Sequence, residues 1–134
     1  MNGLWQAQWD NSGNVTWYGN VAAASDLRLK QNVREIDNVI VRRDGLAKAA
    51  IKYEMNGETT IGYGAQTLQE NGCPELVKEA DDERKLITGM GTLSVDYGKT
   101  TAILAITSKM TDDKVAILES RIEQLEKIIQ GLTK

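Results

Sequence analysis

The stretch Val115-Ala116-Ile117-Leu118-Glu119-Ser120-Arg121-Ile122-Glu123-Gln124-Leu125-Glu126-Lys127-Ile128-Ile129-Gln130-Gly131-Leu132 sets the architecture of the chain's C-terminal part. Val115, Leu118, Ile122, Leu125, Ile129 and Leu132 alternate steps of three and four residues. That is a heptad seam with β-branched residues at a and leucine at d. Lys114 and Arg121 fall at g, Glu119 and Glu126 at e. In a parallel bundle each g residue faces the following e residue of a neighbour, so Lys114 meets Glu119 and Arg121 meets Glu126, both attractive. A helix docked only on its own domain carries a wider apolar stripe. The pattern therefore predicts a self-associating coil, and this a/d chemistry alone favours two strands. Upstream, Ile103, Ile106 and Met110 continue an apolar face, and the step from Met110 to Val115 breaks its phase. A bend or a change of partner is expected there. Residues 98–134 are read as helix, with Asp96 at an N-cap.

Outward from the helix, residues 25–97 read as a small mixed domain. Ile51, Tyr53 and Met55 alternate with Lys52 and Glu54, the period of a half-buried strand. Asn56-Gly57 is a strong hairpin signal, and Thr59 to Tyr63 returns as the second strand. Ala65 to Asn71 is a short helix stopped by Gly72 and Pro74. Thr92 to Val95 is a further strand. Residues 1–24 differ: Trp5, Trp9, Trp17 and Tyr18 supply four of the chain's seven aromatics, with no Lys or Arg among them. Asn11-Ser12-Gly13-Asn14 separates two short strand-like runs, as in a hairpin. This piece is too small to fold alone, so its tryptophans are expected to pack on neighbouring chains. Val21-Ala22-Ala23-Ala24 follows as an accessible linker. The fold class is α+β, with a short β-rich segment in front and a long helix behind.

The bulk numbers narrow the chemistry. The 134 residues carry a net charge of −3, which disfavours nucleic acid and anionic membranes as partners. No apolar run approaches the roughly 18–20 residues of a membrane span. The N-terminus lacks the basic-then-apolar pattern of a signal peptide. There is no histidine, which removes Ser-His-Asp and Cys-His catalysis and every His-ligated metal site. No metal and no cofactor are expected. Cys73 is the single cysteine; it has no disulfide partner and reads as structural. Asp81-Asp82-Glu83 lacks the alternating ligands and glycine of a calcium loop and reads as a solvated turn.

Nucleophilic chemistry without histidine needs a serine, threonine, cysteine or lysine activated another way, and a Ser–Lys pair is one way. Ala24-Ser25-Asp26-Leu27-Arg28-Leu29-Lys30 offers it. Ser25 follows the alanine linker, and Lys30 is close enough to fold back. Leu27 and Leu29 would anchor one face of an extended segment, and a turn is needed to bring Ser25 and Lys30 together. A lysine takes a serine proton near neutral pH when its pKa is lowered to about 7–8. Burial or the neighbouring Arg28 would do that. The competing reading is an ordinary helix N-cap formed by Ser25-Asp26.

The run Ser25-Asp26-Leu27-Arg28-Leu29-Lys30-Gln31-Asn32-Val33 resembles the opening signature of a known family. It is the C-terminal intramolecular chaperone, a self-cleaving serine peptidase domain of bacteriophage endosialidase tailspikes, tail fibres and neck appendages. The signature reads Ser-Asp-x-Arg-Leu-Lys-x-Asn followed by an aliphatic residue, and every fixed position is present. Ile61-Gly62-Tyr63-Gly64-Ala65-Gln66 is similar to a second element, with Tyr63 and Gly64 where apolar residues are commoner. Pro74-Glu75-Leu76-Val77 and Val95-Asp96-Tyr97 are similar to two more, and a coiled coil follows. The resemblance covers residues 25–134.

It implies a homotrimer that helps the upstream fibre segment of the same polypeptide to fold and then cuts itself free between Ala24 and Ser25. By position Ser25 is the nucleophile and Lys30 its partner, with Asp26, Arg28 and Asn32 in support. Residues 1–24 would stay in the virion tail fibre and residues 25–134 would be released, all during assembly in the host cytoplasm. The alternative is a non-cleaving trimerisation module of a viral fibre or adhesin. A third possibility is a binding domain at an adhesin tip, using the tryptophans as a contact surface.

Overall fold

The computed structural model describes residues 7–11 and 14–133. Trp5, and Ser12-Gly13 of the first turn cluster, lie outside the described residues. The order of elements is β1 (Ala7–Trp9), β2 (Val15–Trp17), a 3-10 turn (Leu27–Leu29), α1 (Val39–Ala49), β3 (Ala50–Met55), β4 (Glu58–Tyr63), α2 (Ala65–Glu70), a second 3-10 turn (Pro74–Leu76), β5 (Val77–Glu79), α3 (Glu83–Thr88), β6 (Leu93–Val95) and α4 (Tyr97–Leu132). The architecture is α+β. Among the described residues its strands form three separate antiparallel pairs, β1–β2, β3–β4 and β5–β6.

The first hairpin places Ala7 opposite Trp17 and Trp9 opposite Val15. Asp10 closes it: its two carboxylate oxygens accept from the Asn14 backbone and side-chain amides at 2.9 and 2.8 Å. Trp9, Trp17 and Tyr18 remain largely exposed in the single chain. Residues 20–26 then run on without regular structure. The second hairpin turns at Asn56 and Gly57, both at positive φ (53° and 80°). That is the backbone a two-residue hairpin loop requires, and glycine and asparagine reach it at least cost.

The core is small. Leu46 and Ala49 of α1, Leu68 of α2, Cys73, Leu76 and Ile103 of α4 are buried together, with Tyr63, Val77 and Val95 packed around them. Gly45 is what lets α1 approach α2. A Cβ at that position would overlap the Asn71 carbonyl oxygen, so the close crossing depends on the missing side chain. Helix α2 ends with Gly72 at φ 87°, and the Cys73 N–H donates back to Leu68 O at 3.0 Å, a Schellman closure.

Helix α4 starts where expected. The Asp96 side chain caps it by accepting from the Lys99 N–H. Its early turns complete the core: Thr100, Ile103 and Thr107 are buried. The Thr100 hydroxyl donates to Tyr97 O and that of Thr107 to Ile103 O, so neither is left unpaired in the interior. From residue 108 to 133 every described residue is exposed. At 1.5 Å per residue this is a projection of about 39 Å. The helix is continuous through 110–115. What changes there is the cover: the upstream face packs on the domain, and the downstream heptad face meets nothing among the described residues. Val115, Leu118, Ile122, Leu125, Ile129 and Leu132 are 46–79% exposed.

Candidate functional site

Ser25 ends the irregular, exposed linker, and both it and Ala24 are open to solvent. Directly after it, Asp26 (φ −69°, ψ 122°) caps the 3-10 turn Leu27–Leu29 by accepting from the Arg28 N–H at 2.9 Å. Two backbone bonds close the turn: the Leu29 N–H donates to Asp26 O and the Lys30 N–H to Leu27 O, each at 3.1 Å. The chain doubles back, and the Lys30 side chain returns to the residue that precedes the turn. Lys30 Nζ lies 2.9 Å from Ser25 Oγ. The cap is Asp26, not Ser25, which leaves the serine hydroxyl to the lysine.

Two expectations are corrected. Leu27 and Leu29 do not anchor an extended segment; they sit in the turn, 68% and 77% exposed. The cap at Asp26 curls the backbone, and the alternation of an extended strand is lost. Arg28 does not act on Lys30 as a free positive charge. Its Nε donates to both Asp26 carboxylate oxygens at 3.0 Å, and its Nη2 to Oδ2. The guanidinium and the carboxylate offset each other at source. This pairing, with the Arg28 N–H bond behind it, holds the Asp26 carboxyl below its ordinary value and raises that of Arg28. Asn32 turns the chain at φ 51°, a left-handed conformation that asparagine tolerates, and makes no hydrogen bond to Ser25 or Lys30 among the described residues.

The segment leaving this turn is tied to the core by a residue that carries no signal in the sequence. Arg42 of α1 donates through Nε to Asp37 O at 2.8 Å and through Nη2 to Asp37 Oδ1 at 3.0 Å. Its Nη1 reaches Gly72 O at 3.3 Å and pairs with Glu75. The Arg42 hydrogen bond is also the main reason the Asp37 carboxyl titrates below the usual range.

The remaining candidates are structural. Cys73 is buried, its S–H donates to Arg42 O at 3.4 Å, and burial pushes the thiol up. Asp82 precedes α3 and accepts from the Thr92 N–H; hydrogen bonding from the Thr92 side chain, with that N–H behind it, holds its carboxyl below the ordinary value. Among the described residues no three acidic or thiol groups converge as a metal site would require. No described helix is long and apolar enough to cross a membrane.

The other quoted stretches converge near the start of α4. Val77 pairs with Val95, and the Asp96 N–H donates to Leu76 O at 2.8 Å. The Tyr63 and Tyr97 rings stand 5.9 Å apart, tilted by 39°. Gly62 lies beneath the Tyr53 and Tyr97 hydroxyls, where a Cβ would come within 2.9 Å of the latter.

No family model matches the chain. The Long tail fiber protein Gp37 of Enterobacteria phage K3 is 34% identical to it over 108 residues, 77% of this chain. The protein of the same name from Enterobacteria phage T2 matches equally. The chain spans 8% of the length of each relative. By sequence, then, the chain is similar to a short portion of phage long tail fibre proteins, which supports a phage tail fibre context.

Proposed function

We propose that the chain contains an intramolecular chaperone of a phage tail fibre, which assembles three copies, aids folding of the segment upstream, and releases itself by cutting between Ala24 and Ser25. The observation that carries this reading is the 2.9 Å approach of Lys30 Nζ to Ser25 Oγ, at a turn that follows an exposed linker. In the reaction Lys30 takes the Ser25 hydroxyl proton and Oγ bonds to the Ala24 carbonyl carbon. The bond from that carbon to the Ser25 nitrogen breaks, and the nitrogen leaves with the proton as an amine. Water then cleaves the resulting ester, giving an Ala24 carboxylate and regenerating the Ser25 hydroxyl. The cut is a single turnover within one chain, and no step calls for a metal or cofactor.

A lysine base needs a site with little water, whereas Ser25 and Lys30 are exposed in the single chain. Assembly supplies the cover in this reading, so cleavage waits for the trimer. The helix α4 provides the means to assemble. Its exposed heptad face is marginal in isolation, and Lys114, Glu119, Arg121 and Glu126 make no ion pair among the described residues. Those charges suit g–e pairing with identical neighbours. A β-rich fibre has slow, non-local folding. A C-terminal coil raises the local concentration of its chains, and cutting afterwards leaves the fibre held by its unfolding barrier. In this reading residues 1–24 remain with the virion and residues 25–134 are discarded in the host cytoplasm.

The exposure of the pair also favours a second reading, a trimerisation module of a fibre or adhesin that never cuts. N-terminal sequencing of the large species after incubation separates the two. A new terminus at Ser25 supports the peptidase. Persistence of the original terminus in a trimer supports the module.

A further inference from the structure

We infer that Asp26 is a positioning residue for self-cleavage, acting through the hydrogen bond its side chain accepts from the Arg28 N–H rather than through its charge. The inference rests on the autoproteolysis reading and adds what holds the reacting pair together. In a fully extended chain the Cα atoms of Ser25 and Lys30 would stand about 17 Å apart, beyond what the two side chains can bridge. The turn brings the side chains to 2.9 Å.

That turn has little else to hold it. It is three residues long, and short 3-10 segments have poor hydrogen-bond geometry. Its leucines contribute no packing, since Leu27 and Leu29 are largely exposed. Its two backbone bonds are open to competition from water. The Asp26 carboxylate supplies the remaining restraint, because the same group accepts from the Arg28 N–H at 2.9 Å and from the Arg28 guanidinium. The backbone bond fixes the turn. Asp26 itself makes no hydrogen bond to Ser25 or Lys30 among the described residues, so its effect reaches the reaction through geometry.

Asparagine can still accept the Arg28 N–H bond but carries no charge, and alanine can do neither. The test is a cleavage time course of the protein, Asp26→Asn and Asp26→Ala across pH, with Ser25→Ala as the uncut reference and gel filtration to compare assembly. Asp26→Ala is expected to cut at least about tenfold more slowly, the kind of loss that a small misplacement of reacting groups produces. Asp26→Asn is expected to stay within about threefold of the parent, with the midpoint of its pH profile unmoved. Asp26→Ala cutting at the parental rate overturns the inference. So does Asp26→Asn as slow as the alanine variant, or a displaced pH midpoint in Asp26→Asn, since charge would then be the agent. A parent that never cuts removes the autoproteolysis reading itself and this inference with it.

Discussion

Lys30 Nζ and Ser25 Oγ meet at 2.9 Å within one chain, across a turn of three residues. In the proposed reaction a neighbour is therefore not needed to supply the base. Mixed assemblies of Ser25→Ala and Lys30→Ala chains, refolded together, are expected to remain uncut, because no chain holds both groups. Mass spectrometry of the mixture checks this. Fragments appearing only on mixing would mean that the working lysine comes from the adjacent subunit.

Assembly and cleavage are expected to fail together. Leu118 and Leu125 are 46% and 57% exposed on the heptad face, and truncating a leucine buried in a coil costs about 2–5 kcal/mol. Leu118→Ala with Leu125→Ala should shift the protein to monomer in sedimentation analysis and leave it whole. A trimer unaffected by the double change would place the interface elsewhere. Efficient cutting by the monomer would remove the dependence on assembly.

Gly45→Ala is expected to destabilise the globular part by about 1–3 kcal/mol. In a free helix the same change stabilises by about 1 kcal/mol. The sign reverses because the new Cβ would overlap the Asn71 carbonyl oxygen, a backbone atom that yields only if α2 moves. Urea denaturation of the two proteins decides it. A gain in stability would show that α1 and α2 can separate freely.

The carboxyls of Asp37 and Asp82 titrate below the ordinary value, chiefly through hydrogen bonds from the Arg42 and Thr92 side chains respectively. A lowered carboxyl contributes stability above its unfolded pKa of about 3.9 and loses it as pH falls through the lower folded value. The stability difference between the parent and Asp82→Ala should therefore be constant from pH 7 to about 5. It should narrow only in stronger acid. A difference that changes between pH 5 and 7 would require another titrating group at that loop.

The parts of the fold that the sequence reveals are those with a period or a turn that one residue type satisfies. Asn56-Gly57 announces the β3–β4 hairpin because both positions need positive φ, and the heptads announce α4. Helix α1 is hidden for the opposite reason. It opens on Val39, Ile40 and Val41, which favour strands, carries Gly45 at its centre, and has no side-chain cap at Asn38. Its helicity comes from packing Leu46 and Ala49 against α2 and α4, information that lies in other parts of the chain. At the candidate site the spacing of Ser25 and Lys30 was readable, and so was the need for a turn. The sequestration of Arg28 by Asp26 was not, since residues two apart meet only once the 3-10 cap has formed. The Arg42 tie to Asp37, Gly72 and Glu75 was equally invisible, because it joins residues up to 33 positions apart.

The most direct test is the intact mass of the purified protein beside Ser25→Ala and Lys30→Ala. The account expects fragments of residues 1–24 and 25–134 from the parent, and whole chains from both variants. A trimeric parent that stays whole, or a Ser25→Ala variant that still cuts at the same bond, would contradict it.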